Sequence, residues 1–192
     1  MQTHLLYALD ADTNKAVWAT NKAYKNEWVT SLIASSEPEA FTNIYPTRNG
    51  KTWQSPAPLK AINSSNIISI KDSLSRIDKG FKTYNIQFSS LVNSMEFFLE
   101  EGSNISEIKI NDFEINAVPT TKEGPIYFNF FAPPIEGFKL SLKTKNEQQK
   151  IRIVNRIIGL PTDLYSSPMP ENMIHGPGSR SNVVLVKKSY EF

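Results

Sequence analysis

The sequence predicts an all-β fold, an antiparallel β-sandwich of jelly-roll type with at most one or two short helices. Short runs rich in β-branched and aromatic residues recur along the chain, each bounded by Asn, Asp, Gly, Ser or Pro, the pattern of strands joined by turns. Apolar residues fall on every second position in Tyr84-Asn85-Ile86-Gln87-Phe88 and Lys139-Leu140-Ser141-Leu142-Lys143, which gives each run one core face and one wet face. Helical periodicity is weak throughout.

In chain order, residues 5–9 and 16–20 are expected to pair as strands across a polar turn. The best helix candidate is residues 26–33, where Trp28, Leu32 and Ile33 form a stripe after a polar start. Strands follow at residues 41–45, 67–71, 82–89, 95–100, 105–110, 126–131, 139–144, 151–158 and 183–187, all rich in Ile, Val, Leu and Phe. Twelve prolines, clustered in Ser55-Pro56-Ala57-Pro58 and between Pro161 and Pro177, predict extended surface connections, since proline cannot donate to a central ladder. Sequential strands with short turns favour two packed sheets, read as a single domain over residues 1–192 without internal repeats.

Bulk properties narrow the function. With 192 residues, 40% of them hydrophobic, the chain has enough apolar surface for a sizeable core. Lys and Arg number 21 against 19 Asp and Glu and are scattered, so nucleic acid is not an expected partner. Cysteine is absent, which removes disulfides and thiolate metal sites. No run approaches the about 18 to 20 apolar residues of a membrane span, so no membrane insertion is expected of this segment.

No complete set of residues for catalysis, metal binding or phosphate binding can be assembled, and no catalytic residue, metal ligand or cofactor is assigned to this chain. Asp10-Ala11-Asp12-Thr13-Asn14 opens with the spacing of a calcium loop, but Lys15 stands where the sharp turn wants Gly and Asn21 where a bidentate Glu is needed. A polar hairpin turn explains the same residues. Glu100-Glu101 resembles the adjacent glutamates of some zinc aminopeptidases, yet neighbouring strand residues face opposite ways and a solvated turn before Gly102 is the simpler reading. His4 and His175, at the two ends of the chain, fit no metal-binding spacing. Gly178-Ser179-Arg180 lacks the frame of a nucleophile elbow.

Trp18, Trp28 and Trp53, with Tyr24 and Tyr45, are the candidate binding surface, an aromatic platform for a sugar or peptide if they share an exposed face. Core packing competes with that reading, because aromatics carry much of a sandwich's buried area. Asn63-Ser64-Ser65 and Asn104-Ile105-Ser106 fit the N-glycosylation sequon, which matters only in a eukaryotic secretory pathway.

Residues 7–18 resemble one blade repeat of the quinoprotein-type β-propellers, but a propeller needs that unit several times and it occurs here once. A second resemblance covers nearly the whole chain. Residues 6–20, Glu27-Trp28, residues 53–58, residues 154–161 ending in Gly159-Leu160-Pro161, and the terminal run 184–192 are similar, in order, to the C-terminal region of membrane-bound zinc aminopeptidases of clan MH. In that family a zinc peptidase domain comes first, membrane helices follow and a soluble extracytoplasmic domain ends the protein.

The resemblance implies that this chain is that last, non-catalytic part, periplasmic, extracellular or lumenal, tethered through upstream segments and partnered with the peptidase domain of the same polypeptide. Zinc would belong to that domain, since none of the family's ligands falls in the matching segments. The alternative is a free-standing β-sandwich module that binds carbohydrate or peptide. Buried tryptophans favour the appendage, and coplanar exposed ones the module.

Overall fold

A computed structural model describes residues 2–22, 26–46, 51–60, 69–78, 81–89, 92–100, 102–116, 118–119, 125–165, 168–171, 174–175 and 182–192. The fold is all-β, with one six-residue α-helix and one turn of 3-10 helix among the described residues. In order the elements are β1 (Gln2–Thr3), β2 (Leu5–Asp10), β3 (Lys15–Thr20), α1 (Glu27–Leu32), β4 (Glu39–Ala40), β5 (Lys51–Pro56), β6 (Ser69–Asp78), β7 (Phe81–Ser89) and β8 (Ser94–Leu99). Then come β9 (Ile105–Ile110), β10 (Phe113–Glu114), β11 (Val118–Pro119), β12 (Ile126–Phe131), β13 (Phe138–Thr144), β14 (Lys150–Ile158), the 3-10 turn Thr162–Leu164, β15 (Ile174–His175) and β16 (Val183–Glu191). The chain divides into two compact units: unit 1 comprises Met1–Ile62 and Arg156–Lys187, and unit 2 comprises Asn63–Asn155 and Lys188–Phe192.

Unit 1 is built on the strand order β16-β2-β3-β5-β4. The β2–β3 hairpin is antiparallel, from Leu5 opposite Thr20 to Asp10 opposite Lys15. β16 joins β2 in parallel, Val183 opposite Leu6 and Lys187 opposite Asp10, one parallel pairing in a sandwich expected to be antiparallel. All six residues of β2 are buried, so Leu5-Leu6-Tyr7-Ala8-Leu9 reads as a continuous apolar run because both of its faces are covered.

Helix α1 starts where Asn26 Oδ1 accepts a hydrogen bond from Val29 N at 2.8 Å, with Glu27 in the first turn. Its Trp28 and Val29 are buried, and Ile33 just beyond is fully buried.

Residues 41–45, expected as a strand, form a turn instead. The Phe41 carbonyl accepts from Ile44 N at 3.2 Å and Tyr45 N at 2.9 Å. Phe41, Ile44 and Tyr45 are buried while Thr42 and Asn43 are exposed, the i, i+3, i+4 spacing of a helical turn rather than strand alternation. β5, by contrast, is a strand where none was expected, and its last two residues fall in the run Ser55–Pro58 read as a proline-rich connection. It pairs antiparallel with β3, and Pro56 is tolerated at its last position.

Unit 2 is a sandwich of two sheets, one ordered β10-β9-β13-β7-β6 and the other running β11-β12-β8-β14. Leu140 and Leu142 of β13 are fully buried and lie opposite Ile86 and Tyr84 of β7, as the alternation of both runs predicts. Phenylalanines join the sheets: Phe97 of β8 stacks on Phe128 of β12 at 4.6 Å and meets Phe138 of β13 edge-on at 6.2 Å, while Phe130 of β12 meets Phe138 at 4.7 Å. Such pairs contribute about 0.5 to 1.5 kcal/mol each beyond area burial. The last residue closes the unit, since Phe192 N donates to Gln149 O at 3.0 Å and Gln149 N donates back to Phe192 O at 3.1 Å.

Candidate functional site

The polar hairpin of unit 1 is the most developed polar cluster in that unit. Asn14 takes positive φ (54°), which asparagine tolerates in tight turns, and Asp12 N donates to Asp10 Oδ1 at 3.0 Å. The space between the two aspartates holds an ammonium group: Lys187 Nζ is 3.0 Å from Asp10 Oδ1 and 2.8 Å from Asp12 Oδ2. Asp10 and Lys187 are buried, and Ala11 N donates to Lys187 O at 2.9 Å. The residues that open like a calcium loop thus form a hairpin turn that clasps the C-terminal strand. Chemically this arrangement neutralises buried charge.

The aromatic residues do not form an open platform. Trp18 and Trp28 are 2% and 6% exposed and both lean on Tyr165, with ring centroids 6.2 and 5.4 Å from it. Trp18 also meets Tyr7 edge-on at 5.3 Å. Tyr45 is buried against Phe41, and Trp53 is half-buried with Nε1 donating to Ser36 O at 3.3 Å. Tyr24 lies outside the described residues.

Beside this cluster, the Tyr7 hydroxyl donates to Pro58 O at 3.0 Å and accepts from Lys60 N at 3.1 Å. Burial pushes the Tyr7 hydroxyl above the usual phenol pKa, partly opposed by the Lys60 amide. Burial likewise raises Tyr165. Lys60 Nζ pairs with Asp163 Oδ1 at 2.5 Å, and that hydrogen bond holds the Asp163 carboxyl below its ordinary range.

The remaining candidates scatter. Glu100 is exposed and pairs with Lys150 Nζ at 3.2 Å, while Glu101 lies outside the described residues. The parallel β1–β15 bridge sets His175 opposite Thr3, so the two histidines come to neighbouring register positions. Burial, then the positive charge of Lys22, lowers the His4 pKa. Residues 178–180 and the sequon at 63–65 lie outside the described residues. Among the described residues, no group of three or more His, Asp or Glu side chains is arranged to hold a metal ion.

Unit 2 contains a polar cluster that the sequence reading missed. Glu96, buried at 3% exposure in β8, lies opposite Asn129 of β12. The Tyr127 hydroxyl donates in a bifurcated manner to Glu96 Oε2 (3.1 Å) and Asn129 Oδ1 (2.6 Å). A lone carboxylate inside the apolar run Ser94–Leu99 was the available signal. Unit 2 also has an open pocket of about 180 Å³ near β9, β10 and β12, lined by Ile105, Ile108, Ile115 and Ile126 and by the polar Ser106, Glu107, Glu114 and Asn116. That volume is below the roughly 300 Å³ at which pockets begin to hold whole small-molecule ligands.

No protein-family model matches this chain, and none of the curated proteins matches it.

Proposed function

We propose that this chain is a non-catalytic accessory domain from the C-terminal end of a membrane-bound, zinc-dependent aminopeptidase, placed outside the cytoplasm and acting as a structural or interaction element beside the peptidase domain of the same polypeptide. The observation that carries this reading is the use to which the resembling segments are put. Most of them meet in unit 1, and what they supply there is packing. Trp18 and Trp28 are buried around Tyr165. Gly159 of the Gly-Leu-Pro run sits at φ 104°, a conformation that side chains rarely adopt, and its N–H donates to Asn182 O at 2.9 Å. Asp10 and Asp12 hold the ammonium of Lys187. Residues used in this way build a scaffold, and none of these contacts leaves a side chain poised for chemistry.

Zinc belongs, in this reading, to the peptidase domain. The burial of Trp18 and Trp28 weighs against the free-standing carbohydrate- or peptide-binding module, which needs those rings exposed and coplanar. Purified chain incubated with aminoacyl substrates is expected to show no hydrolysis that zinc stimulates and a chelator abolishes. Such hydrolysis would overturn the non-catalytic reading.

A further inference from the structure

We propose that Asn104 is the acceptor for an N-linked oligosaccharide when this chain enters a eukaryotic secretory lumen. The assignment rests on the extracytoplasmic placement proposed above for its occurrence in the cell, but not for the competence of the site.

Asn104-Ile105-Ser106 supplies the sequon, and its setting suits it to a modified residue. Asn104 is exposed and lies directly before β9 in unit 2, in a loop fixed to the segment after β13. Lys145 N donates to Asn104 O at 3.3 Å, and Asn146 Nδ2 donates to Gly102 O at 3.2 Å. Asn104 Nδ2 donates one proton to Asn146 Oδ1 at 3.2 Å. A side-chain amide has two such protons, so a glycosylated Asn104 keeps the one that holds the loop.

Ser106, two residues on and also exposed, donates its hydroxyl to Lys143 O at 3.2 Å. The β9–β13 register passes from Glu107 opposite Lys143 to Ile105 opposite Thr144, which makes Ser106 the extra residue of a β-bulge, a feature common at sheet edges.

In the transfer, Asn104 Nδ2 forms a bond to C1 of a saccharide carried on a lipid diphosphate. The C1–O bond to the diphosphate breaks, the diphosphate leaves with the bonding pair, and the amide gives up one proton. Ile105, the next residue in the chain, is one of the residues that line the pocket of unit 2.

The test is expression of the full chain behind a cleavable secretory leader in cultured eukaryotic cells, with N63Q to silence the other sequon. Total lumenal protein is digested with peptide N-glycosidase, so the readout does not depend on folding. The expected result is one downward mobility shift, with the residue 104 side chain converted to aspartate by mass spectrometry. N104Q and S106A are expected to abolish the shift and S106T to retain it. Unchanged mobility of the N63Q chain in the lumen overturns the proposal. The native polypeptide digested in the same way reports on localisation separately: a shift in the secreted chain without one in the native polypeptide counts against passage of the native protein through a eukaryotic secretory lumen and leaves the acceptor assignment standing.

Discussion

Unit 1 and unit 2 bury their strands by different means. In unit 1, β2 is buried along its whole length and the strand beside it, β16, runs parallel, so polar residues at the end of the pair, Asp10 and Lys187, are enclosed and must neutralise each other. Unit 2 buries β8 as fully, but in β9 it buries alternate residues, Ile108 and Ile110 being enclosed and Lys109 between them not, and its two sheets meet through phenylalanine rings. The difference teaches where each unit is vulnerable. Through those rings unit 2 is sensitive to lost volume, and through the Asp10–Lys187 pair unit 1 is sensitive to an uncompensated charge.

Phe97→Ala tests the first half of that contrast. Phe97 is fully buried and touches Phe128 and Phe138, so its truncation is expected to cost about 3–5 kcal/mol in denaturant unfolding. Amide exchange is expected to quicken first in β8, β12 and β13. A cost under about 1 kcal/mol would mean that the rings do not form the core of the sandwich.

Lys187→Met tests the second half. It fills the same space but strands the buried Asp10 carboxylate, a change expected to cost roughly 3 kcal/mol, the lower end for broken buried pairs because the Asp12 side chain is 29% exposed. Adding Asp10→Asn is expected to recover part of the loss. Strictly additive costs in that double-mutant cycle would contradict the pairing.

Two smaller effects sharpen the picture of unit 1. Asn26→Ala removes the side chain that accepts from Val29 N and is expected to destabilise by about 1 kcal/mol, as thermal unfolding would record. His4 is expected to titrate below the ordinary histidine range in an NMR series, because burial and, secondarily, Lys22 favour its neutral form. A depressed histidine pKa contributes stability above the unfolded value that is lost as pH falls through the folded one. The stability of His4→Gln is therefore expected to vary less with pH over that interval, and Lys22→Met is expected to raise the His4 pKa only in part.

Much of the strand pattern was readable from local sequence. β9 and β12 fall on their expected residues, and β2, β3, β8, β13 and β14 start or end within one residue of expectation. Alternation and β-branched runs are local signals, and tertiary packing reinforced them. The misreadings arose where composition and spacing disagreed. Phe41-Thr42-Asn43-Ile44-Tyr45 has strand-like composition but helical-turn spacing, and spacing prevailed because three side chains had to reach one core. β5 was hidden by Pro56 and Pro58, although proline blocks only the positions whose N–H a ladder needs.

The polar clusters were less readable still. Asp10 and Asp12 were visible as a hairpin pair, but their cation is 177 residues from Asp10 along the chain and is brought there by parallel pairing that no local pattern encodes. The aromatic residues could be named but not placed, since whether Trp18 and Trp28 face water or Tyr165 is decided by long-range packing.

The most direct test of the proposed role is to fractionate the source cells and probe with an antibody against this chain. A polypeptide much larger than the 21.7 kDa of these 192 residues, sedimenting with membranes, is expected. A band near 21.7 kDa that stays in the soluble fraction would contradict it and favour a free-standing binding module.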